Sequence, residues 1–122
     1  NTKKMAHFRF QDLEIWQLAF SIANKLYDIS DELENKKFFR FAEQLRGAGL
    51  YLTNNIAEGS GSNSNKDFVK FLIYTRRSVF ECVNILLTIE YRNYIDKNES
   101  SVLIEELDKL SRKTISFSRT LN

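Results

Sequence analysis

Proline is absent from this 122-residue sequence. Proline lacks an amide donor and clashes with the preceding turn of a helix, so long helices exclude it, whereas β-sandwiches and α/β chains use it in their turns. The absence therefore predicts a chain that is almost all helix. Its hydrophobic content of 43% and charged content of 28% are typical of an ordinary globular domain.

Cysteine and histidine are each present once, as Cys82 and His7. One cysteine cannot form an internal disulfide, and its spacing predicts a small buried hydrophobe rather than a reactive thiol. The pair offers no transition-metal ligand set, and Gly59-x-Gly61 lacks the lysine and the preceding strand of a phosphate loop. We therefore expect no metal, no cofactor and no enzymatic activity.

Long apolar runs are also missing, since no stretch approaches the roughly 18 residues of a membrane-spanning helix. The first residues lack the uninterrupted apolar region of a signal peptide, and we expect a cytoplasmic protein with no membrane partner. A net charge of +2 and a pI of 8.7 permit binding to nucleic acid without implying it.

Apolar residues instead recur at intervals of three and four, which is typical of amphipathic helices. This pattern predicts helices over about 11–31, 36–58, 65–91 and 100–121, joined by short connections that require antiparallel neighbours. The fold class is therefore all-α, an up-down-up-down antiparallel four-helix bundle. We expect an N-terminal arm over 1–10 and a single domain over 11–122, with Phe8 and Phe10 packed onto the bundle.

Local signals place the helix ends and one close contact. Acidic residues around Asp31 oppose the helix dipole and predict the end of the first helix there. Ser62 or Ser64 is expected to cap the third helix, with Asp67 placed three residues after Ser64 as in a capping box, and residues 98–101 are expected to cap the fourth. Gly49 lies on the apolar seam of the second helix, where a missing side chain lets another backbone approach.

The third helix has more apolar surface than a bundle core requires. Its surplus residues Ile73, Phe80 and Leu87 are spaced by seven, and Arg76 lies among them. A second surplus set, on the second helix, comprises Phe39, Leu50 and Ala57. Contiguous surfaces of this kind predict self-association; a splayed bundle, or covering by the N-terminal arm, is the alternative. Arg76 and Glu90 are expected to form an ion pair or to extend toward solvent at a subunit boundary.

Basic residues form two groups that suit the phosphates of a nucleic acid. The first group is on the third helix and the second on the fourth: Lys66, Lys70 and Arg77, then Arg112, Lys113 and Arg119. Each group is also explained as a solvated helix face. In an oligomer, symmetric copies would repeat a small basic surface, and binding would be mainly electrostatic and sensitive to salt.

Polar residues also interrupt the seams of the two central helices. We expect Glu58 and Glu81 to be structural acids, hydrogen-bonded to Asn55 or Arg46, rather than a general acid and base.

The central motif QLRGAGLYLTNNIAEGSG, at 44–61, resembles the proteins encoded by intervening sequences in bacterial 23S ribosomal RNA genes. FQDLEIWQLAFSIANKLY is similar to the family's first helix and DFVKFLIYTRRSVFE to its third. Relatives include the accessory variability determinant of diversity-generating retroelements, and some members carry a ribosomal-protein label. The family's polar and small motif residues are matched here by Gln44, Arg46, Asn55, Glu58, Gly59, Ser78 and Glu81.

This resemblance implies a bundle that assembles as a homopentamer. For the retroelement relatives it also implies binding to nucleic acid and to a reverse transcriptase through a basic surface. The sequence departs from the family pattern at Tyr51, Thr53, Thr75 and Arg77, which add bulk and one charge. We therefore expect a non-enzymatic homo-oligomer that binds structured RNA or DNA; the alternative is a scaffold for protein partners without nucleic-acid binding.

Overall fold

The computed structural model describes residues 5–122 and contains four α-helices preceded by a short 3-10 turn at Arg9–Asp12. The helices are α1 (Glu14–Asn35), α2 (Phe39–Ser60), α3 (Asn65–Tyr91) and α4 (Lys97–Arg119). Each helix packs against the next, and α4 returns to α1, while within residues 5–122 no Cα atoms of diagonally opposed helices lie within 8 Å of each other. The predicted all-α four-helix bundle is confirmed.

The core is formed by the apolar seams that the sequence pattern indicates. In α2, Leu45, Gly49, Leu52 and Ile56 are all buried. The seam of α3 is buried along its whole length, from Phe68 to Ile89. Burying a leucine or isoleucine side chain contributes about 1.5–3 kcal/mol, so these seams supply the main stabilisation of the bundle.

The first helix extends one turn beyond its predicted end near Asp31. Leu33 in that turn is fully buried, and Arg46 of α2 forms ion pairs with Asp31 and Glu34 at 2.8 and 3.0 Å. The predicted end was wrong because these tertiary contacts outweigh the unfavourable helix dipole. The chain then reverses at Lys37, whose φ of 69° is left-handed.

The N-terminal caps of α3 and α4 differ in how well local pattern locates them. At α3, the Ser64 side chain accepts a hydrogen bond from the Asp67 backbone N–H, so of the two predicted caps Ser64 is the one used. The cap of α4 is Asp96, which accepts from the Glu99 backbone N–H. The prediction of a cap within 98–101 was wrong, since those residues already lie in the helix and Ser100 is buried in the core.

Close approach at the glycines occurs at Gly59 rather than at Gly49. A methyl group on Gly49 would meet the Tyr27 and Leu26 side chains at 3.4–3.5 Å, an ordinary contact. The expected close backbone is therefore replaced by two side chains. At Gly59, the same methyl would lie 2.7 Å from the Phe68 ring and 2.8 Å from Phe71 Cβ.

In the predicted arm, residues 5–8 precede the 3-10 turn, residues 9 and 10 lie in it, and residues 1–4 lie outside the described residues. Phe10 is half-buried and its ring lies 5.2 Å from that of Trp16, so it packs on the bundle as expected. Phe8 contacts Phe10 but stays 61% exposed, so the expectation that it also packs against the bundle was wrong for most of its surface.

Candidate self-association and nucleic-acid surfaces

Three large apolar side chains project from α3 into solvent. Ile73 and Leu87 are each 50% exposed and Phe80 is 67% exposed. We call these three residues the α3 face. Their exposure within one chain agrees with the surplus that the helical pattern indicates, and it excludes covering by the described part of the arm.

The α3 face continues into an apolar groove between α3 and α4. Phe80 lines this groove together with Val83 and Ile104. Arg76 is half-buried at its edge, where the Nε group donates a long hydrogen bond of 3.4 Å to Ser111 Oγ. The ion pair expected for Arg76 or Glu90 is not found among residues 5–122.

A second apolar surface lies on α2. Phe39 is 59% exposed and Leu50 is 48% exposed, while Ala57 is half-buried. We call these three residues the α2 face. The α2 face and the α3 face lie on different helices, and none of their six residues lines the polar groove between these two helices. The chain therefore carries two separate apolar surfaces.

The predicted basic residues of α3 are well placed for a ligand. Lys66, Lys70 and Arg77 are all exposed, and none has an ion-pair partner within the described residues. Arg77 also borders the α3 face, since it lines a surface groove with Ile73 and Phe80. Their charge is available to an anionic partner.

The basic residues of α4 are more strongly neutralised. Arg112 pairs with Asp108 one turn earlier, with Nε 3.0 Å from Oδ2. Lys113 forms an ion pair with Glu14 at the start of α1, and the hydrogen bond from Lys113 lowers the pKa of the Glu14 carboxyl. Arg119 is exposed near the helix end. The fourth-helix group thus contributes less free charge than α3.

Antiparallel packing separates charge along the bundle axis. One end contains the starts of α1 and α3 with the ends of α2 and α4, over 5–24, 50–78 and 108–122. We call this half the basic end, because it carries nine Lys and Arg against five Asp and Glu. The other half, 25–49 and 79–107, carries seven against eleven. A chain of low net charge therefore has a strong axial asymmetry.

The motif residue Arg46 links α1 to α2 and does not approach the acids proposed for it. Its guanidinium binds Asp31 Oδ1 and Glu34 Oε1, and these two hydrogen bonds raise the Arg46 pKa. Asn55 donates to the Tyr51 carbonyl oxygen within its own helix. Within residues 5–122 neither Arg46 nor Asn55 donates a hydrogen bond to Glu58 or Glu81, so the predicted partners of these two acids were wrong.

Two of the other motif residues face the polar groove between α2 and α3. Gln44 and Glu81 line this groove, together with Tyr51. Ser78 is buried, and Glu58 is exposed. Glu81 lines this groove and Glu58 does not, so the structure does not bring the two carboxylates together there.

Other kinds of site find little support within residues 5–122. Those residues contain no cluster of three or more metal-binding side chains. Cys82 is fully buried, and burial raises the pKa of its thiol to about 12, so it stays protonated and unreactive. None of the four helices combines the length and hydropathy needed to cross a bilayer.

An aromatic series at the basic end was not recognised as a surface from the sequence. Phe8, Phe10, Trp16 and Phe20 contact in succession, with ring centroids 6.0, 5.2 and 4.7 Å apart. Phe20, at the end of the series, is 49% exposed. The signal available in the sequence was the four-residue spacing of Trp16 and Phe20 beside the two phenylalanines of the arm.

Comparisons with known proteins place the fold and the family. A solved structure from Bacteroides thetaiotaomicron VPI-5482, a protein of unknown function from the S23 ribosomal protein family, superposes with a TM-score of 0.81. It is 18% identical and covers 85% of this chain and 97% of its own. No curated protein sequence matches. The family model described as 23S rRNA-intervening sequence protein matches residues 11–116. Because that match covers most of the 122 residues of this chain, the chain belongs to the 23S rRNA-intervening sequence protein family.

Proposed function

We propose that this protein is a non-enzymatic, self-associating bundle that binds RNA or DNA through its basic end. The observation that carries the proposal is the axial separation of charge, with nine basic against five acidic residues at one end. Lys66 and Lys70 lie at this end without ion-pair partners in the described chain, and Arg77 lies farther along the same helix. Such a surface suits the phosphate backbone.

Self-association supports this function by repeating the basic surface. The α3 face and the α2 face are different and separate, so contact between them is heterologous. Heterologous contacts close into rings when the rotation between copies permits it. The family resemblance implies five copies. Rotation about the ring axis would carry the basic end of each copy to the same side of the ring.

The expected binding is electrostatic and only weakly dependent on sequence. Neutralising phosphates with lysine and arginine releases counterions, so affinity falls steeply as salt rises. Several copies in a ring would present several sets of Lys66, Lys70 and Arg77 to one nucleic acid. This multiplication explains how a chain with a net charge of +2 can bind a polyanion.

The test is fluorescence anisotropy with labelled RNA and DNA strands over a series of salt concentrations. Lys66→Glu combined with Lys70→Glu should weaken binding by roughly tenfold or more and reduce the salt slope. Lys37→Glu combined with Lys97→Glu is the matched control, because it makes the same charge change at the other end. Equal loss in both variants, or binding that ignores salt, would contradict the proposal.

A protein partner is the alternative outcome of the same experiment. The resemblance to the retroelement accessory protein implies a reverse transcriptase as one such partner. If neither strand binds at low salt, and a defined protein co-purifies after nuclease treatment, the chain would be a scaffold instead. The charge separation favours the nucleic acid as the direct ligand.

A further inference from the structure

We infer that the aromatic series Phe8, Phe10, Trp16 and Phe20 is a stacking surface for unpaired bases. The inference rests on the proposed function and narrows its ligand to a single-stranded nucleic acid or to a single-stranded segment of a folded one. It assigns two roles at one end of the bundle, in which lysines hold phosphates and aromatic rings hold bases.

The four rings form a row whose two inner members pack on the bundle and whose two outer members are exposed. Trp16 and Phe20 are stacked at 4.7 Å with an interplanar angle of 29°, and Phe10 meets Trp16 edge-on. Phe10 and Trp16 are half-buried, which fixes the row on the bundle. Phe8 and Phe20 at its ends remain 61% and 49% exposed. The row therefore has firm inner members and free aromatic area at both ends.

Basic side chains lie at the same end of the bundle as this row. Arg9 lies between Phe8 and Phe10 in the sequence, and its guanidinium carbon is 5.4 Å from the ring centroid of Phe68. That contact holds the arm beside the start of α3, where Lys66 and Lys70 are exposed. Lys113 reaches the start of α1 through its ion pair with Glu14. Aromatic and cationic groups thus share one end of the molecule.

Aromatic area interleaved with positive charge is the combination that single-stranded nucleic acids require. Their bases offer π faces that stack on aromatic side chains largely regardless of sequence, while lysine and arginine follow the backbone. A duplex hides those faces, so an aromatic row adds little to its binding. The occupant that fits both the exposed rings and the positive charge at the same end of the bundle is an unpaired strand.

The experiment compares three probes of equal length on the intact protein: oligothymidylate, the same strand with abasic sites, and a duplex. Trp16 is the only tryptophan, so its fluorescence reports directly on the row. Oligothymidylate should quench that emission and bind about tenfold more tightly than the abasic strand. The abasic strand should leave the emission unchanged.

Variants separate stacking from charge. Phe8→Ala and Phe20→Ala should each weaken oligothymidylate binding about fivefold or more and leave binding of the abasic strand unchanged. Tyr91→Ala is the matched control, because Tyr91 is an 85% exposed aromatic residue in the other half of the bundle. It should bind all three probes as the parent does.

The experiments distinguish failure of the stacking surface from failure of the proposed function. Equal affinity for oligothymidylate and the abasic strand, with the Lys66 and Lys70 variant still defective, would overturn the stacking surface alone. Absence of binding to every probe at low salt would overturn the proposed function as well. A smaller sedimenting species for Phe20→Ala would assign Phe20 to the contact between copies and would also overturn the inference.

Discussion

Among individual residues, the buried hydroxyl groups of the core differ in whether they make a hydrogen bond. Thr114 is fully buried and its Oγ1 donates to the Leu110 carbonyl at 2.7 Å; Ser30 does the same to Leu26. Thr75 Oγ1 and Ser100 Oγ are equally buried but make no hydrogen bond within the described chain. A buried polar group without a partner costs about 1–3 kcal/mol.

Replacing Thr75 by valine should therefore stabilise the protein. The change keeps the side-chain shape and removes the unpaired hydroxyl, so the free energy of unfolding should rise by about 1 kcal/mol. Urea denaturation followed by circular dichroism measures this. Thr114→Val is the control, because it deletes a made hydrogen bond and should give no gain. A lower stability for Thr75→Val would show that the hydroxyl has a partner.

Glu99 should make stability depend on pH in a defined direction. Desolvation, with repulsion from Glu32 and Asp96, raises its pKa above the ordinary value of 4.5. As pH rises above 4.5 the unfolded chain loses this proton first, so stability falls until the folded carboxyl has also ionised, and the full penalty then remains at higher pH. The penalty is absent at lower pH, where both states are protonated.

The Glu99→Gln variant should accordingly match the parent at pH 3.5 and be more stable at pH 7. Urea midpoints across that range provide the measurement. Glu105→Gln, which removes one exposed charge from the same helix, is the control. A Glu99→Gln variant that is less stable than the parent at pH 7 would mean that the carboxylate is favoured in the fold.

At the level of the helices, the sequence pattern predicted the bounds of a helix correctly where the residues that determine them are close in sequence. The range 65–91 for α3 was predicted correctly, because Ser64, Asp67 and an unbroken apolar period define it. The end of α1 was missed because Leu33 and Arg46 determine it from another helix. Partners of polar motif residues were missed for the same reason, since Arg46 binds Asp31 and Glu34.

Two glycines of α2 should respond in opposite ways to a methyl group. Gly47 has nothing within 4 Å of an added Cβ, so Gly47→Ala should raise the unfolding free energy by about 0.5–1 kcal/mol through helix propensity. Gly59→Ala would press on the Phe68 ring and Phe71 Cβ, and should destabilise by about 1–3 kcal/mol. Thermal melts of the two variants compare them directly.

Gly49→Ala is a useful third member of this set. Its added methyl would meet side chains at ordinary contact distance, so a value between the other two is expected. If Gly59→Ala were as stable as Gly47→Ala, the close packing of α2 on the start of α3 would be refuted.

At the scale of the whole molecule, charge and apolar surface are distributed in ways that composition hides. Within residues 5–122 the charges of the basic end and the acidic half cancel, and Lys3 and Lys4 bring the net charge of the chain to +2. The surplus apolar face of α3 was predicted from spacing alone and is exposed in the fold. The exposed row ending in Phe20 was not, because it depends on how the arm meets α1.

The central claim is that the α3 face is covered by another copy of the chain, and sedimentation velocity tests it most directly. The parent should sediment as an oligomer, well above the 14.3 kDa of one chain. Phe80→Glu combined with Leu87→Glu should give a folded species near 14.3 kDa, since two buried charges in the contact would be unpaired. Val102 is an exposed apolar residue of α4 that lines neither the polar groove between α2 and α3 nor the apolar groove between α3 and α4, so Val102→Glu should leave the oligomer intact. A parent protein that sediments as a single chain would contradict the account.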